Sequence, residues 1–318
     1  TNIAVFYPED GVSPMQKLQM QTQEGKNISV TAIDGNFDDA QSMLKRIFTD
    51  KEINDYVAEK GAVFSSANSI NIGRLLPQII YYVFTYASLV DDGVIGEKEF
   101  FDVVVPTGNF GNILAAYLAK KMGIPVGTLI CASNRNKVLA DFFATGVYDM
   151  NRDFYVTTSP SMDISKASNF ERFVFDLMDR DADEIKTLWA EVGSGKGFNL
   201  EFALNKVHQQ YGFVSGKSTH ANRLATIKQV YEQDRELIDP HTADGIKVAR
   251  EVREAGETIV CLETALAAKF EATIHEAVGE VAIPRPAALE GLENLPQRVR
   301  VVPNNATTVK DIIKEALA

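Results

Sequence analysis

Apolar runs of strand length alternate with amphipathic helices from the first residues of this 318-residue chain. Ile3–Tyr7 reads as a buried strand stopped by Pro8, and a turn over 9–11 (EDG) leads to a helix start. That start is Ser13-Pro14-Met15-Gln16: an N-cap hydroxyl, proline at the first helical position, and a glutamine that completes a capping box. A second strand spans Ile28–Asp34. The stretch GNFDDAQSMLKRIF then sets Phe37, Ala40, Met43, Leu44, Ile47 and Phe48 at the three- and four-residue spacing of one helix face. Strands separated by helices pair in parallel through right-handed crossovers, so the expected class is α/β with a parallel sheet flanked by helices.

The alternation continues. A long helix over 69–89 is expected to turn Ile72, Leu76, Ile79, Ile80, Val83 and Ala87 toward a core. Strands are expected at 100–106 (FFDVVVP), 126–133 (VGTLICAS) and 258–263, with a helix through Lys121 after the first of them. The segment 165–255 is acidic, amphipathic and largely helical, and reads as a helical insertion. The chain opens TNIAVFYP, without Met and already inside a core-type strand, so it is expected to be a piece of something longer.

Lys and Arg number 32 against 43 Asp and Glu, a formal charge of −11, which is not the footprint of a nucleic-acid binder. An anionic ligand would need local donors working against that field. The longest apolar stretch, 75–90, is broken by Pro77, Gln78 and Ser88 and falls short of a membrane span. Cys131 and Cys261 lie in apolar strands with no CxxC partner, and His208, His220, His241 and His275 show no ligand spacing. A soluble cytoplasmic protein with free thiols and no metal is expected.

The strongest local signal is Thr107-Gly108-Asn109-Phe110-Gly111-Asn112 between a strand and a helix. Free N–H groups of a first helical turn, glycines that admit close approach, and asparagine amides suit phosphate capture. The same letters equally spell an ordinary turn eased by glycine. GSGKGF at 193–198 is not a nucleotide loop: no strand precedes it and no Ser or Thr follows its lysine, so it reads as a loop between helices. In SSANSINIGRLLPQ, Asn71, Arg74 and Gln78 share a helix face, with Asn68 and Ser69 at the helix start. They form either an anion clamp or a solvated face with its cap. Thr264 either caps a helix or faces a ligand at the carboxyl edge of the sheet.

The motifs VSPMQKLQM, DGNFDDAQ, SSANSINIGRLLPQIIYYVFTYA, PTGNFGNILAAYLAKKMGIPV, SMDISKASNFERF and LETALAAKF, in this order, resemble the threonine synthase family, in the branch found in many bacteria and fungi. The resemblance covers residues 1 to about 275. It implies a fold type II enzyme that uses pyridoxal 5'-phosphate (PLP) to convert O-phospho-L-homoserine and water to L-threonine and phosphate. It places Gly108, Asn109, Phe110, Gly111 and Asn112 around the PLP phosphate and Thr264 against the pyridine nitrogen. Asn68, Ser69, Asn71 and Arg74 become candidates for holding the substrate, while Ser161 and Asp163 receive no assigned role. Where many relatives read TAHPAKF, this chain has Leu266 and Ala267 in place of His and Pro. The family's imine-forming lysine lies in an upstream segment that has no counterpart here, and Lys269 matches a different family position. The resemblance therefore implies a carboxy-terminal two-thirds, inactive alone. Residues 1–62 would be the remnant of a smaller α/β domain and 63–318 the large PLP-binding domain. Rival readings are a serine or threonine dehydratase of the same fold type and a noncatalytic small-molecule-binding module. Oligomeric state stays open.

Overall fold

The computed structural model describes residues 1–9, 12–35 and 37–317. Asp10 and Gly11 of the expected turn, Asn36, and the side chains of Phe37, Asp38 and Gln41 lie outside the described residues. The strands are β1 Ile3–Pro8, β2 Ile28–Asp34, β3 Phe101–Pro106, β4 Val126–Ser133, β5 Val147–Asp149, β6 Gly197–Asn199, β7 Phe213–Lys217, β8 Ile259–Cys261 and β9 Arg300–Pro303. The α-helices are α1 Pro14–Gln21, α2 Phe37–Thr49, α3 Lys51–Glu59, α4 Ile72–Leu75, α5 Ile79–Asp91, α6 Gly111–Lys121, α7 Val138–Thr145, α8 Phe170–Leu177, α9 Ala182–Gly193, α10 His220–Asp234, α11 Pro240–Val252, α12 Glu271–Val278 and α13 Ala306–Ala316. They divide into two compact units.

The first unit comprises residues 1–66, 268–270 and 282–318. Its sheet runs β1-β2-β9, parallel throughout. α1 starts with the expected capping box: Ser13 Oγ accepts from the Gln16 N–H and Gln16 Oε1 from the Ser13 N–H. Ala40, Met43 and Ile47 of α2 are buried with Ile53 and Val57 of α3 and Val309 and Ile313 of α13. Phe48 is left at the rim, edge-on to Phe64. Residues 282–318, expected in the large domain, belong here instead, because Val301 and Val302 pair in register with Ala32 and Ile33.

The second unit comprises residues 67–267 and 271–281. Its sheet runs β7-β4-β3-β8, again parallel throughout. The strands are apolar on both faces because helices cover both. Val103, Val105, Leu129 and Cys131 face a large aromatic core with α6, α7, α8 and α9, while Val104, Ile130 and Ala132 face Val248 of α11. The segment 165–255 is therefore not an insertion. It supplies β7, which extends the sheet beside β4, and α11, which covers one of its faces. Residues 197–199 are not loop either, for they pair antiparallel with β5.

The expected 69–89 helix is divided. Asn71 Oδ1 accepts from the Gly73 N–H and caps α4, and Pro77, which lacks an N–H, sits in the 3-10 turn that separates α4 from α5. The inward face is also not the expected stripe. Leu75 and Tyr82 are buried and Ile79 half-buried, whereas Ile72, Leu76, Val83 and Ala87 are exposed, Ile80 is 63% exposed and Phe84 71%. No helix among the described residues is long and apolar enough to cross a membrane.

Candidate cofactor and substrate site

From β3 the chain passes through α6 to β4 and on to β7 on one side, then returns to β8 on the other. The sheet order thus reverses at β3, and open α/β sheets form their ligand crevice outside the carboxyl ends of strands at such a point. The residues leaving β3 there are Thr107–Phe110. Thr107 is held by its N–H to the Ala132 carbonyl at 2.9 Å and its hydroxyl to the Val105 carbonyl at 2.6 Å.

Phe110 is the N-cap of α6 and sits in left-handed backbone (φ 66°) with no side-chain capping bond. That conformation costs a non-glycine residue roughly 1–2 kcal/mol. Its ring, 1% exposed, packs against Phe143, Phe170, Phe173 and Phe213 at centroid distances of 5.3–6.0 Å, which outweighs the cost. The ring of Phe110 therefore belongs to the core, and only its backbone belongs to the loop. Among the described residues, no backbone N–H from Gly108 to Ile113 donates to a protein acceptor. Gly108 has no room for a Cβ, which would lie 2.1 Å from the Ser161 carbonyl oxygen. Asn109 Oδ1 accepts from the Ser168 N–H at 3.3 Å, and Asn112 Oδ1 accepts from the buried Tyr82 hydroxyl. Each amide thus keeps its NH2 end to donate. A run of unclaimed N–H groups at the positive end of a helix, flanked by two amides, can hold a phosphate-sized anion.

Thr264 lies three residues past Cys261, which pairs with Val104, just as Thr107 lies three past Val104. It is exposed in irregular backbone, and the next helical turn starts only at Ala267, so it does not cap that turn. Leu266 is 40% exposed. Lys269 belongs to the other compact unit.

The clamp candidates form a turn rather than a helix face. Asn68 Oδ1 accepts from the Ile70 N–H and the Ser69 hydroxyl, both at 3.2 Å, and the Arg74 guanidinium donates to the Ala67 carbonyl. Two residues absent from the candidates above tie this turn to the loop after β3. Asn169 Nδ2 donates to the carbonyls of Ser69 at 3.2 Å and Asn109 at 3.1 Å, and Arg172 donates to the Asn169 Oδ1 and to the Ile70 carbonyl. Their only sequence signal is membership of the SMDISKASNFERF motif.

Behind this lies a buried polar scaffold. Asp163 accepts from Asn134 Nδ2 at 2.7 Å, Asn136 Nδ2 at 3.0 Å, and the Thr157 hydroxyl and N–H at 2.7 Å each. The Ser161 N–H reaches His241 Nε2 at 3.1 Å. Ser159 Oγ bridges Asp244 and Arg223, whose carboxylate and guanidinium are 0% and 1% exposed. Burial pushes the Asp244 carboxyl up, while Arg223 and the Ser218 and Ser159 hydroxyls draw it back. Neither thiol is poised as a nucleophile: burial pushes Cys131 up to about 12, and burial with the Asp239 and Glu263 charges does the same to Cys261.

Residues 242–313 match the family described as "Threonine synthase, C-terminal". The threonine synthase of Methylobacillus glycogenes is 46% identical over 98% of this chain, and that of Corynebacterium glutamicum 43% over 99%. The crystal structure of PLP-bound threonine synthase from Brucella melitensis superposes with a TM-score of 0.87 at 37% identity, covering 99% of this chain. The yeast threonine synthase structure gives 0.83 at 29%. The chain spans 64–65% of the length of these relatives. Parallel sheets, the strand-to-helix loop and alignments that run over 98–99% of the chain agree: over nearly all its length this chain is similar to about two thirds of a threonine synthase.

Proposed function

We propose that Gly108–Asn112 hold the 5'-phosphate of PLP, and that the protein to which this chain contributes converts O-phospho-L-homoserine and water to L-threonine and phosphate. The observation that carries this reading is the unclaimed row of N–H groups from Gly108 to Ile113, over a glycine that has no room for a side chain. When bound, PLP withdraws electrons from the substrate's α-carbon. The chain's own residues bind and orient. The N–H groups and the amides of Asn109 and Asn112 neutralise the cofactor phosphate, and Thr264 offers an uncharged hydroxyl to the pyridine nitrogen. Asn68, Ser69, Asn71 and Arg74 grip the substrate's phosphate or carboxylate. Proton transfer falls to a lysine outside the residues of this chain, so the chain alone is inactive.

The chain should bind one equivalent of PLP, displaced by inorganic phosphate, as followed by absorbance. Subsequent borohydride treatment should leave no stoichiometric adduct on any single lysine. Failure of phosphate to compete removes the cradle assignment, and an adduct confined to one lysine places the missing group inside this chain. In the full-length enzyme, Arg74→Ala should weaken O-phosphohomoserine binding about tenfold, the scale of one charge-assisted contact, and leave PLP affinity nearly unchanged. Equal losses for both ligands would take Arg74 away from the substrate.

A further inference from the structure

We propose that Asn169 is a positioning residue: it aims the peptide groups of the phosphate loop and locks that loop to the 68–71 turn. The role rests on the phosphate reading above. Asn169 is 0% exposed. Its backbone N–H and its Nδ2 both donate to the Asn109 carbonyl, at 3.0 and 3.1 Å. Every peptide bond among the described residues is trans. In a trans peptide the C=O and N–H point in opposite directions, so holding the Asn109 oxygen toward Asn169 turns the Phe110 N–H away from it, where among the described residues it meets no protein acceptor. Rotating that peptide would strand two donors in a buried place, which fixes the loop before any ligand arrives.

The other contacts extend the hold. The same Nδ2 reaches the Ser69 carbonyl at 3.2 Å, and the Arg172 guanidinium occupies Oδ1 while reaching the Ile70 carbonyl at 2.8 Å. Arg172 has only donors, so it settles which end of the amide faces which way. Asn169 also lies over the first turn of α6: a Cβ on Gly111 would sit 3.3 Å from Nδ2, tighter than ordinary contact. One buried amide therefore sets the direction of the loop's donors and the distance from that loop to the turn carrying Asn68, Ser69 and Asn71.

The test compares binding of pyridoxine 5'-phosphate with that of pyridoxine, which lacks the phosphate, in wild-type protein, Asn169→Ala and Asn169→Asp. Wild type should prefer the phosphorylated ligand at least about tenfold, the scale of a few hydrogen bonds to a charged group. If it does not, the phosphate reading itself is wrong. In the variants the preference should shrink about tenfold, and more for Asp, whose carboxylate would face two carbonyls. Pyridoxine affinity should stay near wild type in both. An unchanged preference overturns the proposal, and so does an equal loss of both ligands, the mark of a merely structural side chain. If both variants fail to fold, Arg172→Gln, which frees the amide to turn, decides: it should lower the preference without lowering pyridoxine affinity, and an unaltered preference overturns the proposal.

Discussion

Gly108→Ala should abolish capture of a phosphorylated ligand while leaving the secondary structure in place. The added methyl would lie 2.1 Å from the Ser161 carbonyl oxygen and 3.6 Å from the Met162 Cα. Neither neighbour is a flexible side-chain tip. Ser161 is fixed by the bond from its N–H to His241, and Met162 by its N–H to the Ser159 carbonyl. The loop must therefore give way, and it carries the row of N–H donors. Overpacking of this kind costs roughly 1–3 kcal/mol of stability. The effect on the ligand is larger, because misplacing one preorganised donor to a charged oxygen costs about a hundredfold or more in measured catalytic cases. The matched control is Gly193→Ala at the end of α9, where an added Cβ meets nothing within 4 Å. Pyridoxine 5'-phosphate binding should be lost in the first variant and kept in the second. Retained binding in Gly108→Ala would mean that the loop is not where the phosphate sits.

Much of this arrangement could be read from the letters alone where the physics is local. Ser13, Pro14 and Gln16 specify a helix start within four residues, and the structure forms that box. The bounds of β2 and β4, Ile28–Asp34 and Val126–Ser133, are those the letters give. The loop after β3 announced itself by its glycines and asparagines at a strand-to-helix junction. What escaped was long-range. Asn169 reaches partners 60 and 100 residues away, so no window around it contains the reason for its amide. β9 is four residues long with Val301 63% exposed, too short and too wet to stand out, and only its register with Ala32 and Ile33 makes it a strand of the first unit. β7 was hidden among helices for the same reason. The α5 stripe was misassigned on different grounds. IIYYVFTYASLV is apolar nearly all round, so spacing alone does not say which face turns inward, and the buried position went to Tyr82, whose hydroxyl reaches Asn112.

Breaking the Arg223–Asp244 pair should give the largest loss of stability of any single change considered, and the two ways of breaking it should differ in sign with pH. The side chains are 1% and 0% exposed, with Nη2 to Oδ2 at 2.8 Å, Nε on the same carboxylate at 3.1 and 3.2 Å, Nη1 on Thr158 and Nη2 also on Ser159. Asp244→Ala leaves a buried guanidinium that does not lose its proton, which costs about 3–5 kcal/mol. It also removes the acceptor of the Ser159 hydroxyl, and with it one tether of the segment that ends at Ser161 against Gly108. Arg223→Met leaves a carboxyl instead, and a carboxyl has an escape, since it can bind a proton. Burial already raises Asp244 above the ordinary carboxylate value, and losing Arg223 removes the main opposing influence, so its folded-state pKa rises further. Below the unfolded value of about 3.9 the group is neutral in both states and costs least. As pH climbs above that value the unfolded chain releases the proton and the folded one retains it. Stability then falls by about 1.4 kcal/mol per pH unit until the folded pKa is passed, and is level beyond. Measured as a difference from wild type in urea titrations between pH 4 and 8, the deficit of Arg223→Met should grow with pH, whereas that of Asp244→Ala should shrink, because the wild type's own raised Asp244 gives up stability as pH climbs and the alanine variant has no such group. A flat deficit for Arg223→Met would mean that Asp244 stays ionised even without its partner, held by the Ser159 and Ser218 hydroxyls rather than by the guanidinium.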